Sequence, residues 1–211
     1  MPAEQSAGEL LKESPSQTAG PYIHIGMAPP VAGLPLRGDE TPNVLAGPTA
    51  QGERIRIEGI VFDGEGAPVK DAIIEFWQAD ANGKYDHPAD QRNIPPDPDL
   101  HNFGRAVTDL KSGLWWIETV KPGPVPGPQA GNMAPHVSIA IFARGINIHL
   151  NSRIYFDDEI DANGADPILA LVVPAARRAT LIARRGERDG TVTYRFDIHL
   201  QGDQETVFFD V

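Results

Sequence analysis

The chain has 211 residues, with 18 Lys and Arg against 29 Asp and Glu, and its formal net charge of −11 excludes the clustered cationic surface that nucleic-acid phosphates require. Gly and Pro contribute 21 and 20 residues, too many turn formers for a helix bundle. The absence of cysteine removes disulfides, thiolate nucleophiles and cysteine-held zinc or iron–sulfur clusters.

In chain order, residues 1–12 read as a polar arm with helix expected around 8–13, and 14–21 as extended or turning. Glu4, Glu9 and Glu13 are acidic, and neither a signal layout nor an apolar run of about 18 residues is present, so a soluble cytoplasmic protein is expected. Tyr22-Ile23-His24-Ile25 alternates and should cover an apolar surface. Pro29-Pro30, Gly33-Leu34-Pro35 and Gly47-Pro48 punctuate 26–52, which should be mostly irregular. From Glu53 the period becomes two. Strands are expected at 54–62, 72–78, 104–108, 114–120, 136–144, 146–150, 152–156, 192–200 and 205–210. Asp63-Gly64-Glu65-Gly66, Asp80-Ala81-Asn82-Gly83 and Arg188-Asp189-Gly190 supply turns. Asp166-Pro167 is the best helix start, with Asp at the N-cap and Pro at the first helical position. Many short strands with little helix predict an all-β, mixed-topology β-sandwich with long irregular loops and minor short helices. The predicted division is an N-terminal arm over 1–52, packing on the domain and a partner, and one β-sandwich over 53–211.

Chemistry is harder to read from spacing. The six histidines, His24, His87, His101, His136, His149 and His199, form no close metal-binding pair. Asp80-Ala81-Asn82-Gly83 looks like the start of a calcium loop, but the downstream Glu is missing, and a hairpin turn explains it better. Asp157-Asp158-Glu159 could serve acid–base chemistry, but after Arg153-Ile154-Tyr155-Phe156 it reads as a charged strand end. Trp77, Trp115 and Trp116 fall in strands, as core or interface residues. Composition and spacing give an acidic β-sandwich without an assigned reaction.

Ordered motifs add what spacing lacks. Asp80-Ala81-Asn82-Gly83-Lys84-Tyr85, Lys121-Pro122-Gly123-Pro124, Ala134-Pro135-His136-Val137-Ser138 and Ile154-Tyr155-Phe156-Asp157 occur in the order found in intradiol aromatic-ring dioxygenases. The chain resembles that family over roughly residues 9–211. Ser16-Gln17-Thr18-Ala19-Gly20-Pro21-Tyr22, Ala143-Arg144-Gly145 and Glu205-Thr206-Val207-Phe208-Phe209-Asp210 bring it nearest to the α chains of its two-chain members.

In catalytic chains of this family, two tyrosinates and two histidines hold Fe(III), hard anionic donors on a hard cation. The resemblance places those positions on Tyr85, Val125, His136 and Ser138, and an accompanying arginine on Met133. Valine offers no donor atom and serine only a neutral hydroxyl, so the expectation is a vestigial site, filled or covered, without iron. The resemblance then implies a β subunit carrying Fe(III), a higher-order α–β oligomer, and protocatechuate and O₂ as substrates of the complex. It also implies that Thr18, Gly20, Pro21 and Arg144 border the substrate, the arginine meeting its carboxylate. Two alternatives stay open at this stage. One is a self-sufficient catechol-type dioxygenase with ligands drawn from His24, His149 or Asp157, and the other is a non-enzymatic binding sandwich.

Overall fold

The computed structural model describes residues 18–20, 22–35, 43–128 and 131–210. Eleven strands follow one another among these residues. They are β1 Arg54–Phe62, β2 Ile73–Gln78, β3 Phe103–Val107, β4 Leu114–Val120, β5 Val125–Pro126, β6 Asn132–Met133, β7 His136–Phe142, β8 Leu150–Phe156, β9 Ile182–Arg188, β10 Thr191–Arg195 and β11 Ile198–His199. Helices are short: α1 Ile23–Met27, α2 Ile160–Ala165 and α3 Pro167–Leu171, with 3₁₀ turns at Pro29–Ala32 and Ala175–Leu181. The main sheet runs β11-β1-β10-β9-β8-β7-β2-β3, with β4 added on β1, and β5–β6 form a separate ribbon. Pairing is antiparallel except β1 with β10 and β11, and β8 with β9, which are parallel.

Strand alternation builds the core. Ile55 and Ile57 of β1 and Trp115 and Ile117 of β4 pack with Ile74 and Phe76 of β2 and Ile139 and Ile141 of β7 in one buried cluster. The Phe76 and Trp115 rings meet at 5.5 Å across it. The sheet thus folds over on itself as a sandwich, closing one apolar interior whose burial supplies most of the folding free energy. Leu45 is fully buried in the same cluster although it lies in the irregular stretch before β1. A smaller cluster of Ala134, Tyr155, Leu169, Val172 and Leu181 seats α3 on the outer face of β8.

The all-β expectation and most strand positions hold. The turn at 80–83 also forms, with the Asp80 Oδ1 accepting from the amides of Asn82 and Lys84 and Gly83 at φ 74°. It opens a long connection to β3 rather than a tight hairpin. The α3 start is as read, with Asp166 accepting from the amides of Ile168 and Leu169 behind Pro167.

Four expectations need correction. Tyr22–Ile25, expected to cover an apolar surface, instead lead into helix α1, whose backbone is satisfied locally, and Tyr22 and Ile25 are 77% and 44% exposed. Residues 146–149 are a loop, because the chain turns at Gly145 (φ 84°) and strand pairing resumes at Leu150. The 192–200 run breaks into β10 and β11, since the Asp197 carboxylate takes the Ile60 amide at 2.8 Å and displaces the ladder there. Residues 205–210 make an isolated bridge, Phe209 with Asn151, rather than a strand. Strand β9 was not foreseen, because Arg184, Arg185, Glu187 and Arg188 hide any apolar alternation. It pairs with β10 through Asp189 and Gly190, both at positive φ. The helix expected around 8–13 lies outside the described residues.

Candidate functional site

Odd-numbered residues of β7 enter the core, so His136, Ser138 and Ala140 face outward. Register then builds a row across three strands: Trp77 of β2 opposite Ser138, and Ser138 opposite Arg153 of β8. His136 stands opposite Tyr155 on the same face, their ring centroids 5.7 Å apart. The connection after β2 folds over this row. Buried Lys84 donates to the carbonyls of Asp90 at 2.6 Å and Arg92 at 3.0 Å, and the Tyr85 amide donates to the Asp90 carboxylate at 3.0 Å. Those bonds lay the Tyr85 ring parallel on Trp77 at 5.6 Å, with His87 edge-on to the indole. On the other side, the β5–β6 ribbon sets Val125 opposite Met133. Between the two lies a cleft of about 580 Å³ lined by Trp77, Tyr85, His87, Arg92, Val125 and Met133, among others.

The electrostatics follow from burial and from Arg153. Burial raises the Tyr85 hydroxyl pKa, although the Arg153 and Arg92 charges pull against it. Burial, reinforced by Arg153, pushes the His136 imidazole down to about 4, so it is neutral at pH 7. Its Nδ1 donates to the Ala134 carbonyl at 2.7 Å. Tyr155 is pushed up to about 12 by burial, and its hydroxyl donates to Asp166 at 3.3 Å. The Arg153 Nη1 lies 3.3 Å from the Met133 Sδ and 3.5 Å from the Tyr155 Oη.

These residues do not fit a ferric ion. Val125 has no donor atom and Ser138 offers only a neutral hydroxyl, so Tyr85 and His136 remain as donors, too few to hold a hard trication.

The other residues singled out in the sequence lie apart. Thr18 is exposed and Gly20 half-buried at the start of the described arm, and Pro21 lies outside the described residues. Arg144 follows β7, its side chain 66% exposed, with Nε paired to Asp71. Among the described residues no hydrogen bond or ion pair joins these three positions to one another or to the cleft. His24 sits in α1, and His149 stacks on Phe142 at 5.5 Å. Asp157 accepts from the Arg185 amide, while Asp158 and Glu159 both pair with Lys121. Sequence reading missed Arg153 and Trp77 as site residues. Their signal was the outward-facing alternation of β8 and β2, which becomes informative only once register sets both beside Ser138.

A family model described as dioxygenase matches residues 31–202. The chain is 52% identical over 202 residues to the protocatechuate 3,4-dioxygenase alpha chain of Pseudomonas putida, covering 96% of this chain and 98% of that one. The chain belongs to the intradiol dioxygenase family. The beta chain of the Burkholderia cepacia protocatechuate 3,4-dioxygenase is also similar, at 34% identity over 82% of this chain and 74% of its own length. The dioxygenase domain of a Streptomyces dioxygenase–carbohydrate-binding fusion shares the fold, with TM-score 0.57 at 23% identity, over 93% of this chain and all of that one. Intradiol dioxygenases are Fe(III)-dependent oxidoreductases, and both α-type and β-type family members are homologues of this chain. No helix among the described residues is long and apolar enough to cross a membrane.

Proposed function

We propose that this chain is the non-catalytic α subunit of a protocatechuate 3,4-dioxygenase, working in the cytoplasm in an α–β oligomer whose β chain holds the Fe(III). The observation that carries the reading is identity to an α chain over nearly the whole length of both proteins. Val125 and Ser138, which offer no anionic or imidazole donor, support it.

On this reading the complex opens protocatechuate between its two hydroxyls, placing both atoms of O₂ in 3-carboxy-cis,cis-muconate. Fe(III) held by the partner would supply the activation of the bound catechol toward O₂. This chain supplies wall and orientation. Asp71 holds Arg144 by Nε, which leaves the Nη groups of an exposed side chain to receive the substrate carboxylate. Thr18 contributes a hydroxyl, and Gly20 and Pro21 a narrow backbone wall, on the N-terminal part of a segment (residues 1–52) that packs on the sandwich (53–211) through Leu45 and on the partner.

Metal analysis with a visible spectrum tests the assignment, on this chain alone and after co-expression with a β-type chain. The expected result is a colourless, iron-free chain alone and a red-brown complex with one iron per α–β pair. Iron and tyrosinate-to-iron absorption in the chain alone would overturn it.

A further inference from the structure

The Arg153 guanidinium is half-buried, and among the described residues it has no carboxylate within 4.0 Å. Its hydrogen-bonding neighbours are a thioether and a phenol, weak acceptors for a full charge. The two nearby carboxylates are already engaged. Asp90 serves Arg92, Lys84 and the Tyr85 amide. Asp166 accepts from the amides of Ala134, Ile168 and Leu169 and from the Tyr155 hydroxyl. A partly desolvated, uncompensated cation is costly and favours an anion beside it.

That cation lies one side chain from open space, because Met133, which Arg153 touches, also lines the 580 Å³ cleft. Trp77, Tyr85, Val125 and Pro126 give the wall an aromatic and apolar part, and His87, Gln91 and the Asp90–Arg92 ion pair give it a polar rim. Arg92 offers less, since its guanidinium is held by Asp90 and the Gly83 carbonyl. With Asp90 and Arg92 neutralising each other, an aromatic wall with one unpaired cation behind Met133 suits a flat, singly charged anion. We propose that this cleft is a non-catalytic binding site for a small aromatic carboxylate, its ring against the Tyr85–Trp77 wall and its carboxylate on Arg153. The carboxylate replaces the Met133 thioether as the guanidinium's partner, and the flexible methionine side chain turns aside to admit it. The site is separate from Arg144, and it stands whether or not this chain completes a partner's active site.

The test is calorimetric titration of the full-length chain with 4-hydroxybenzoate, with phenol (no carboxylate) and acetate (no ring) as controls. One site per chain is expected for 4-hydroxybenzoate, with both controls at least 10-fold weaker. Arg153→Met should weaken binding by about 10-fold or more, and Arg144→Ala should leave it unchanged. Ala89 is exposed on the cleft wall, so Ala89→Trp obstructs the cleft without disturbing the core, and it should abolish binding. No binding by the native chain, binding that survives Ala89→Trp, or binding lost in Arg144→Ala instead would overturn the proposal. Because the subunit assignment is read from iron content, the two ideas fail independently.

Discussion

Val125 and Met133 face each other across the β5–β6 ribbon and set two apolar side chains on one wall of the cleft. On the proposed reading these are positions where a catalytic chain carries an anionic donor and a cation. The ribbon itself is retained, and its far end is pinned where the Ala134 amide donates to Asp166 at 2.7 Å. The bonds that hold this wall are the β5–β6 ladder and the Asp166 carboxylate on the Ala134 amide, and neither involves the Val125 or Met133 side chain.

Arg144 is expected to decide how the complex tells a carboxylated catechol from a plain one. Arg144→Ala in the α–β complex should raise KM for protocatechuate roughly 10- to 100-fold, the worth of one or two charge-assisted hydrogen bonds. Catechol, lacking the carboxylate, should be little affected. Steady-state kinetics with both substrates reads the difference, and an equal loss for both would remove the carboxylate role.

His136 makes folding stability depend on pH. Its folded pKa of about 4 lies below the ordinary 6.5 because burial disfavours the charged ring. Between those values the unfolded chain binds a proton that the folded chain does not. Stability should therefore fall as pH drops from about 6.5 toward 4, by up to about 3 kcal/mol from this residue. Urea denaturation at pH 7.5 and pH 5 should show the loss, and His136→Gln should diminish it. An unchanged slope in the variant would assign the loss to other groups.

Asp166 joins three elements at once: it caps α3, holds the Ala134 amide ahead of β7, and accepts from Tyr155 of β8. It is 1% exposed, so Asp166→Ala strands several buried donors. The expected cost is about 3 kcal/mol, a fall of roughly 6–12 °C in Tm for a chain of this size. Asp166→Asn keeps one acceptor oxygen and should lose less. Thermal unfolding followed by circular dichroism separates them, and equal melting of Asp166→Ala and the native chain would show that water replaces the carboxylate.

Much of this was legible in the residues themselves. Alternation at Arg54-Ile55-Arg56-Ile57 marked β1 and the face it buries, Asp166-Pro167 marked a helix start, and the ordered motifs marked the family. These signals are local: side-chain period, capping chemistry and residue type act within a few positions of the chain. Alternation at Tyr22-Ile23-His24-Ile25 misled for the same reason: the segment satisfies its backbone in helix α1 and leaves Tyr22 and Ile25 exposed.

Tertiary structure alone decided the rest. The position of Arg153 opposite Ser138, and the laying of Tyr85 on Trp77, depend on strand register and on a connection anchored by buried Lys84. So do the neutrality of His136 and the cleft beside it, because desolvation and the reach of a guanidinium charge are set by what packs around a group. Sequence determined which side chains this outer face would carry, and the register of β2, β7 and β8 determined which of them would meet.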